Sequence, residues 1–299
     1  MKIIRPYAIT DATLIACNIP ETDYPVYASG TTYALGAMVV VVDSNIHKIY
    51  ESLQTGNIGH TPISSSDWWL DRGATNRWKM FDTLVGSQTE HTGGITFTLA
   101  VTGRINSISL LNVYASSVRV VATDVIDGVV FDRTVDMRSD LGINDWFNYF
   151  FEPPEWDSDS VITDLPMYAN MTIAVTIGAI SGSAKCGACI IGLTKTIGDT
   201  QYGASVGIQD YSTKTRDTWG NPTVLERAYN KRANFTVNVD NVAVDRLQNI
   251  LAGYRATPIL YIGTGEFGST AILGFYKDFS IAISYFAYSV CTIEIEGLI

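Results

Sequence analysis

The sequence predicts a mainly β protein whose C-terminal third is α+β, and three observations carry that reading. Short runs alternate apolar and polar residues between clusters of Gly, Asn, Asp and Ser. The helical period is almost absent. The chain of 299 residues is rich in aromatics, with 16 Tyr and 11 Phe, while only 17% of it is charged. An average globular chain carries about 25%.

Each strand rests on a period of two, which puts every second side chain on one face. The alternation predicts strands at 95–101, 105–111, 118–122, 172–180 and 188–193. Phe235, Val237 and Val239 alternate with Thr236 and Asn238. Ile281, Ile283 and Tyr285 alternate with Ala282 and Ser284, and Cys291, Ile293 and Ile295 with polar neighbours. One helix is predicted. Val244, Leu247 and Leu251 fall at i, i+3 and i+7, joined by Ile250 and Tyr254. Asp240 or Asn241 is placed to cap it, and Gly253 to end it.

Texture divides the chain into four parts: an N-terminal segment 1–25, a small aromatic and Gly-rich β module 26–73, a run of strands 74–205, and an α+β domain 206–299. The run of strands is interrupted by EPPEWDSDS at 152–160. A 46% hydrophobic chain buries a sizeable core, which excludes global disorder. Thirty acidic against 20 basic residues give a net charge of −10. That balance argues against a nucleic-acid partner, which calls for a basic face. The apolar run 34–42 is about half the roughly 20 residues a bilayer demands, so no membrane insertion is expected. MKIIRPYAIT has no long apolar stretch, so no cleaved signal peptide is expected either.

The chemistry-bearing residues form no catalytic constellation. Cys186-Gly-Ala-Cys189 is a CxxC, but a zinc site needs four ligands, and Cys17 and Cys291 stand alone. The two thiols are therefore expected to be small buried groups. His47, His60 and His91 lack HxH or HExxH spacing and are read as polar loop residues. Glu152, Glu155, Asp157 and Asp159 could pair for glycoside hydrolysis or bind Ca²⁺. With two prolines and Trp156 beside them, a solvated or partner-contacting loop is favoured. Gly263-Thr264-Gly265-Glu266-Phe267-Gly268 precedes a strand rather than a helix, so it reads as a hairpin turn and not a dinucleotide loop. The expectation is a protein that is not an enzyme, with no catalytic residue, metal or cofactor.

Three resemblances add to this. Residues 26–73 carry Tyr33, Gly36, Val39, Val41, Tyr50-Glu51-Ser52, Asn57, Gly59, Pro62 and Trp68 in the pattern of the small chitin-binding modules of carbohydrate-binding families 5 and 12. The resemblance implies a compact β module with Tyr50 and Trp68 in its core. That family holds sugar on exposed aromatics just after the Tyr-Glu-Ser strand, where this sequence has Leu53 and Gln54. Tyr27 and Trp69 are the surface aromatics left for a glycan or partner contact, and packing or a protein contact outweighs sugar for each.

The second resemblance spans most of 26–299. TNRWKMFD at 75–82, QDYSTKTRDTWGNPTVLERAYNKR at 209–232, YRATPILYIG at 254–263, GFYKDFSI at 274–281 and the ending CTIEIEGLI look like a family of tailed-phage structural proteins labelled carbohydrate-binding virion proteins. The resemblance implies a tail or baseplate component of the virion, assembled in the host cytoplasm, with other tail proteins as partners and a homo-oligomeric state. The stretch GRINSISLLNVYASSVRVVA at 103–122 resembles galactose-binding-like jelly rolls, which implies a β-sandwich for the middle. A host-attachment role, gripping bacterial surface glycan, is the alternative.

Overall fold

A computed structural model describes residues 1–139, 145–151, 153–265 and 267–298. Glu152 and Glu266 lie outside the described residues. The chain is mainly β, with 53% in strands and 8% helical.

Lys2–Pro6 (β1) and Leu14–Cys17 (β2) precede a three-stranded unit of Met38–Asp43 (β3), Ile46–Ser52 (β4) and Trp69–Ala74 (β5). Thr89–Thr92 (β6), Ile95–Thr102 (β7), Ser107–Tyr114 (β8), Ser117–Asp124 (β9) and Gly128–Asp136 (β10) follow. Next come Arg138–Ser139 (β11), the short helix Trp146–Phe151 (α1), Glu155–Trp156 (β12), Ser160–Ile162 (β13), Asn170–Ile177 (β14) and Ser183–Thr196 (β15). The last part holds Asp199–Thr200 (β16), Ser205–Asp210 (β17), Thr213–Arg216 (β18), Pro222–Leu225 (β19) and Tyr229–Asp240 (β20). It ends with helix Val244–Gly253 (α2), Ile259–Ile262 (β21), Ala271–Ala282 (β22) and Tyr288–Gly297 (β23).

A curled sheet of eleven strands runs in the order β13-β8-β15-β1-β21-β22-β23-β20-β16, with β6 on β15 and β17 on β20. A five-stranded sheet has the order β10-β9-β14-β7-β2. β1 lies between β15 and β21, with Lys2 opposite both Thr196 and Ile262. The N-terminal residues 1–25, expected as a segment of their own, thus supply a central strand. The boundary drawn at 205/206 falls inside β17, Ser205–Asp210, which pairs along β20.

The core follows from side-chain alternation. The five-stranded sheet packs Phe97, Leu99, Val120 and Ile173 against Leu110 and Ile191 of the large sheet. Ile3 faces the same way as Ile191, because β1 and β15 pair with Ile3 opposite Lys195. On that face α2 lays Leu247 and Leu251 among Phe235, Tyr261 and Ile293. Ile4, one residue on, points to the opposite face and joins Leu111, Ile190, Leu260 and Leu273. Burial of each such side chain contributes roughly 1.5–3 kcal/mol. Between the two cores of the first face, Lys195 donates to the Tyr254 hydroxyl at 3.0 Å.

Three further departures concern the end of β22, the start of α2 and the run of strands. Ile283 and Tyr285 are exposed beyond the end of β22. Their polar-apolar alternation continues past the last residue that has a ladder partner, Ala282. Neither Asp240 nor Asn241 caps α2 with its side chain; a 3-10 turn at Asn241–Ala243 starts the helix. The Asn241 amide instead donates to Tyr285 O and Phe286 O, tying down the loop after β22. The third departure is α1, which interrupts the expected run of strands. No helix among the described residues is long and apolar enough to cross a membrane.

The seam at β1 leaves no room for a side chain at Gly192, where a Cβ would lie 2.4 Å from Arg5 O. Gly192→Ala is expected to cost about 1–3 kcal/mol by overpacking. At Gly207 the nearest atom to an added Cβ is Arg232 Nε at 3.8 Å. Gly207→Ala should therefore stay within about 0.5 kcal/mol of the parent. Urea unfolding of both variants checks the contrast, and equal stabilities would refute the tight seam.

Candidate functional site

The module 26–73 is built around an aromatic cluster. Trp69 is buried at 3% exposure, with Tyr33 edge-on at 5.2 Å and Tyr27 at 5.8 Å between ring centroids. Its indole N–H donates to His60 O at 2.8 Å. The expectation that Trp69 faces outward is corrected: β5 begins at Trp69, opposite the buried Ser52, so its side chain turns inward. A shift of one residue in a strand exchanges the faces. Trp68 is correspondingly the half-buried tryptophan, stacked on His60 with centroids 3.9 Å apart. Tyr50 is buried as expected. Tyr27 is half-buried, its ring stacked on Tyr33 at 5.9 Å.

Cys186 and Cys189 lie inside β15, both buried and unbridged. Burial pushes the Cys186 thiol up to about 12 and the Cys189 thiol well above its ordinary value, so neither supplies a thiolate near neutrality. No cluster of His, Cys, Asp or Glu fit to hold a metal ion is found among the described residues. The stretch 263–268 lies in sequence between β21 and β22, which pair antiparallel; Glu266 within it is outside the described residues. The acidic stretch divides. Glu155 and Asp157 are exposed, whereas the Asp159 side chain is turned inward, unlike a residue of a solvated or partner-contacting loop, because it pairs with Lys231 and accepts from Asn112 N at 3.0 Å.

His47 also departs from its reading as a loop residue. It sits in β4, and its ring is buried, stacked on Trp78 with centroids 4.1 Å apart. Nε2 lies 2.6 Å from Asp11 Oδ1, and Nδ1 lies 2.9 Å from Glu21 Oε1. Ionised carboxylates only accept, so both bonds form together when both ring nitrogens carry hydrogen. Glu21 also accepts from Thr75 Oγ1 at 2.7 Å and faces Arg77 at 3.5 Å. Asp11 and Asn45 exchange two further bonds, each backbone N–H donating to the other side chain. This polar clamp fixes the module to segment 1–25 and to the residues after β5. No motif marks it, since Asp11, Glu21 and His47 are far apart in sequence and meet only in the fold.

The largest feature missed by sequence reasoning is a hairpin with no core. Every residue of 203–229 except Ser212 is exposed. It starts as the β17–β20 ladder and continues as β18–β19. Val206, Ile208, Trp219, Val224, Leu225 and Tyr229 all present apolar surface to solvent along it. Its strands alternate weakly, and only their lack of a buried partner sets them apart from core strands. Elsewhere α1 exposes Trp146, Phe147, Phe150 and Phe151, and the loop after β22 exposes Phe286.

The clamp has a pH signature. The hydrogen bond from Asn45 N–H, assisted by His47, holds the Asp11 carboxyl below its ordinary value. Because folding lowers this pKa, the stabilisation is complete above the ordinary carboxylate range and is lost as pH falls through the folded value. Asp11→Ala should flatten that acid limb of the stability curve, followed by urea unfolding from about pH 6 to about pH 3. His47→Ala leaves Glu21 short of a donor at 11% exposure and is expected to cost about 1–3 kcal/mol. Curves that coincide with the parent's would show that the clamp contributes nothing. Compared with known proteins, the chain matches no family model, no curated protein and no solved structure.

Proposed function

We propose that this chain is a structural subunit of a bacteriophage tail or baseplate, assembling with copies of itself and with other tail proteins in the virion. In this reading the small carbohydrate-binding-like module, a jelly-roll-like middle and an α+β assembly domain are its working parts, and it performs no catalysis. The tail identity comes from the resemblance of the segments between 75 and 299. The observation that supports assembly is the exposed hairpin 203–229. A two-stranded hairpin alone is marginal in water, and large apolar patches on soluble proteins mark interaction sites. The aromatics of α1 and Phe286 add to the surface that neighbours would cover. The glycan-binding role keeps only Tyr27 of its two expected contacts, so assembly is the reading we adopt.

Light scattering of the purified chain and quantitative mass spectrometry of virions test it. A discrete oligomer and many copies per virion are expected. A monomer that is absent from virions would sink the proposal. The hairpin is separable in this reading. Asp210 pairs with Tyr229, so an Asn-Gly turn can replace 211–228. That variant should lose about 1–2 kcal/mol of stability, chiefly the Tyr211 hydroxyl's bonds to the buried Asn230 and to Glu296, yet fail to assemble. Assembly at parental strength by a folded variant would show that the hairpin is not the joint.

A further inference from the structure

The hairpin 203–229 ends in a rigid tip. Asp217 Oδ1 accepts from Trp219 N at 2.9 Å and from Asn221 N at 2.8 Å, and Oδ2 accepts from Asn221 Nδ2 at 2.9 Å. These bonds, that to the Asn221 side chain first, hold the Asp217 carboxyl below its ordinary range. Gly220 supplies the left-handed residue of the turn at φ 86°. The turn is thus fully bonded, and it presents the Trp219 indole at 85% exposure. A large apolar ring fixed in water by a structured turn has the character of an anchor that belongs in a pocket.

Such a pocket lies at the hairpin's root. It has a volume of about 210 Å³ and an apolar lining that includes Val85, Leu111, Tyr229, Leu273 and Leu298. Its walls are preformed. Asn112 Nδ2 donates to Val85 O at 2.8 Å, and Gly187 lies so close beneath that a Cβ there would sit 2.3 Å from the same oxygen. The Asp159–Lys231 ion pair closes one side. An empty apolar cavity of about 150 Å³ takes up benzene, so this one has room for an aromatic ring system.

The tip and the root of one hairpin cannot meet. The β18–β19 ladder, Thr213–Arg216 against Pro222–Leu225, rises by about 3.3 Å per residue and so stands the tip about 10 Å beyond the irregular residues 226–228 that adjoin the pocket. A neighbouring copy has no such restriction. Lys214, Arg216 and Arg227 balance Asp210, Asp217 and Glu226, so the hairpin can approach an acidic copy without net repulsion. The exposed run 203–229 also matches the roughly 20–30 residues that a standard interface takes from each side.

We propose that the hairpin of one copy lies on a second copy and seats Trp219 in the apolar pocket at the root of that copy's hairpin. The contact is reciprocal in a two-fold pair or repeats around a ring. The proposal rests on the assembly reading and names its joint. Self-association of the full chain is measured by sedimentation for the parent, Trp219→Ala and Ala228→Trp, the last narrowing the pocket mouth, with circular dichroism as the folding control. Each folded variant is expected to weaken association by about 30-fold, as for a buried aromatic anchor. In a Cys17→Ser background, co-expressed Trp219→Cys and Ala228→Cys chains of different mass should form a mixed disulfide on oxidation. A parent that stays monomeric refutes the assembly reading and this joint with it. A parent that associates, with folded variants equally tight and no 219–228 disulfide, overturns the joint alone. If Ala228→Trp fails to fold, the disulfide decides.

Discussion

The fold depends on one short strand being gripped from both sides. β1 pairs with β15 over five residues and with β21 over three, and without it the large sheet falls into two separate halves. The physical constraint is close approach. Gly192 lets the β1 backbone come down on β15, and Ile3 and Ile4 then enter cores on opposite faces. The five-stranded sheet and α2 are held on the same face by this seam, at opposite ends. The N-terminus is drawn into the same lock, since the Met1 amino group donates to Gly198 O.

That dependence explains which parts of the fold were legible. Strands with one buried face announce themselves by period two, and Phe235, Val237 and Val239 or Cys291, Ile293 and Ile295 are buried as the alternation requires. β1 is different. Ile3 and Ile4 are both buried, so the strand alternates nothing, and flanking Lys2 and Arg5 disguise it. Ile283 and Tyr285 fail in the opposite sense, because alternation continues where no neighbouring strand remains. The Trp68–Trp69 pair shows the limit of reading by position, since only the strand register decides which of two adjacent indoles goes inside. The candidate site was less legible still. The clamp of Asp11, Glu21 and His47 and the pocket at the hairpin root both join residues far apart in sequence, and no local pattern encodes either.

The module and the hairpin are attached to the body by contrasting means. The module has a core of its own in Tyr33, Val39, Tyr50 and Trp69, and its link to the body at His47 is a set of hydrogen bonds to Asp11 and Glu21 with the ring stacked on Trp78. Hydrogen bonds between polar groups add modest net stability but are costly to leave half-made, so such a joint specifies a single pose more than strength. The hairpin has no core at all, yet it is continuous with the large sheet through β20. Its orientation is therefore inherited from the large sheet, while its faces stay unsatisfied.

A rigid root with unsatisfied faces is what separates an assembly joint from a flexible tail. A disordered segment that folds onto a partner loses conformational entropy at the moment of binding. This hairpin has already spent that entropy in its own ladders and in the Asp217 turn, so burial of Trp219, Val224 and Leu225 against a partner would go more fully into affinity. The same preorganisation leaves the free subunit with exposed apolar surface and open strand edges, a liability that natural proteins tolerate where a partner covers them.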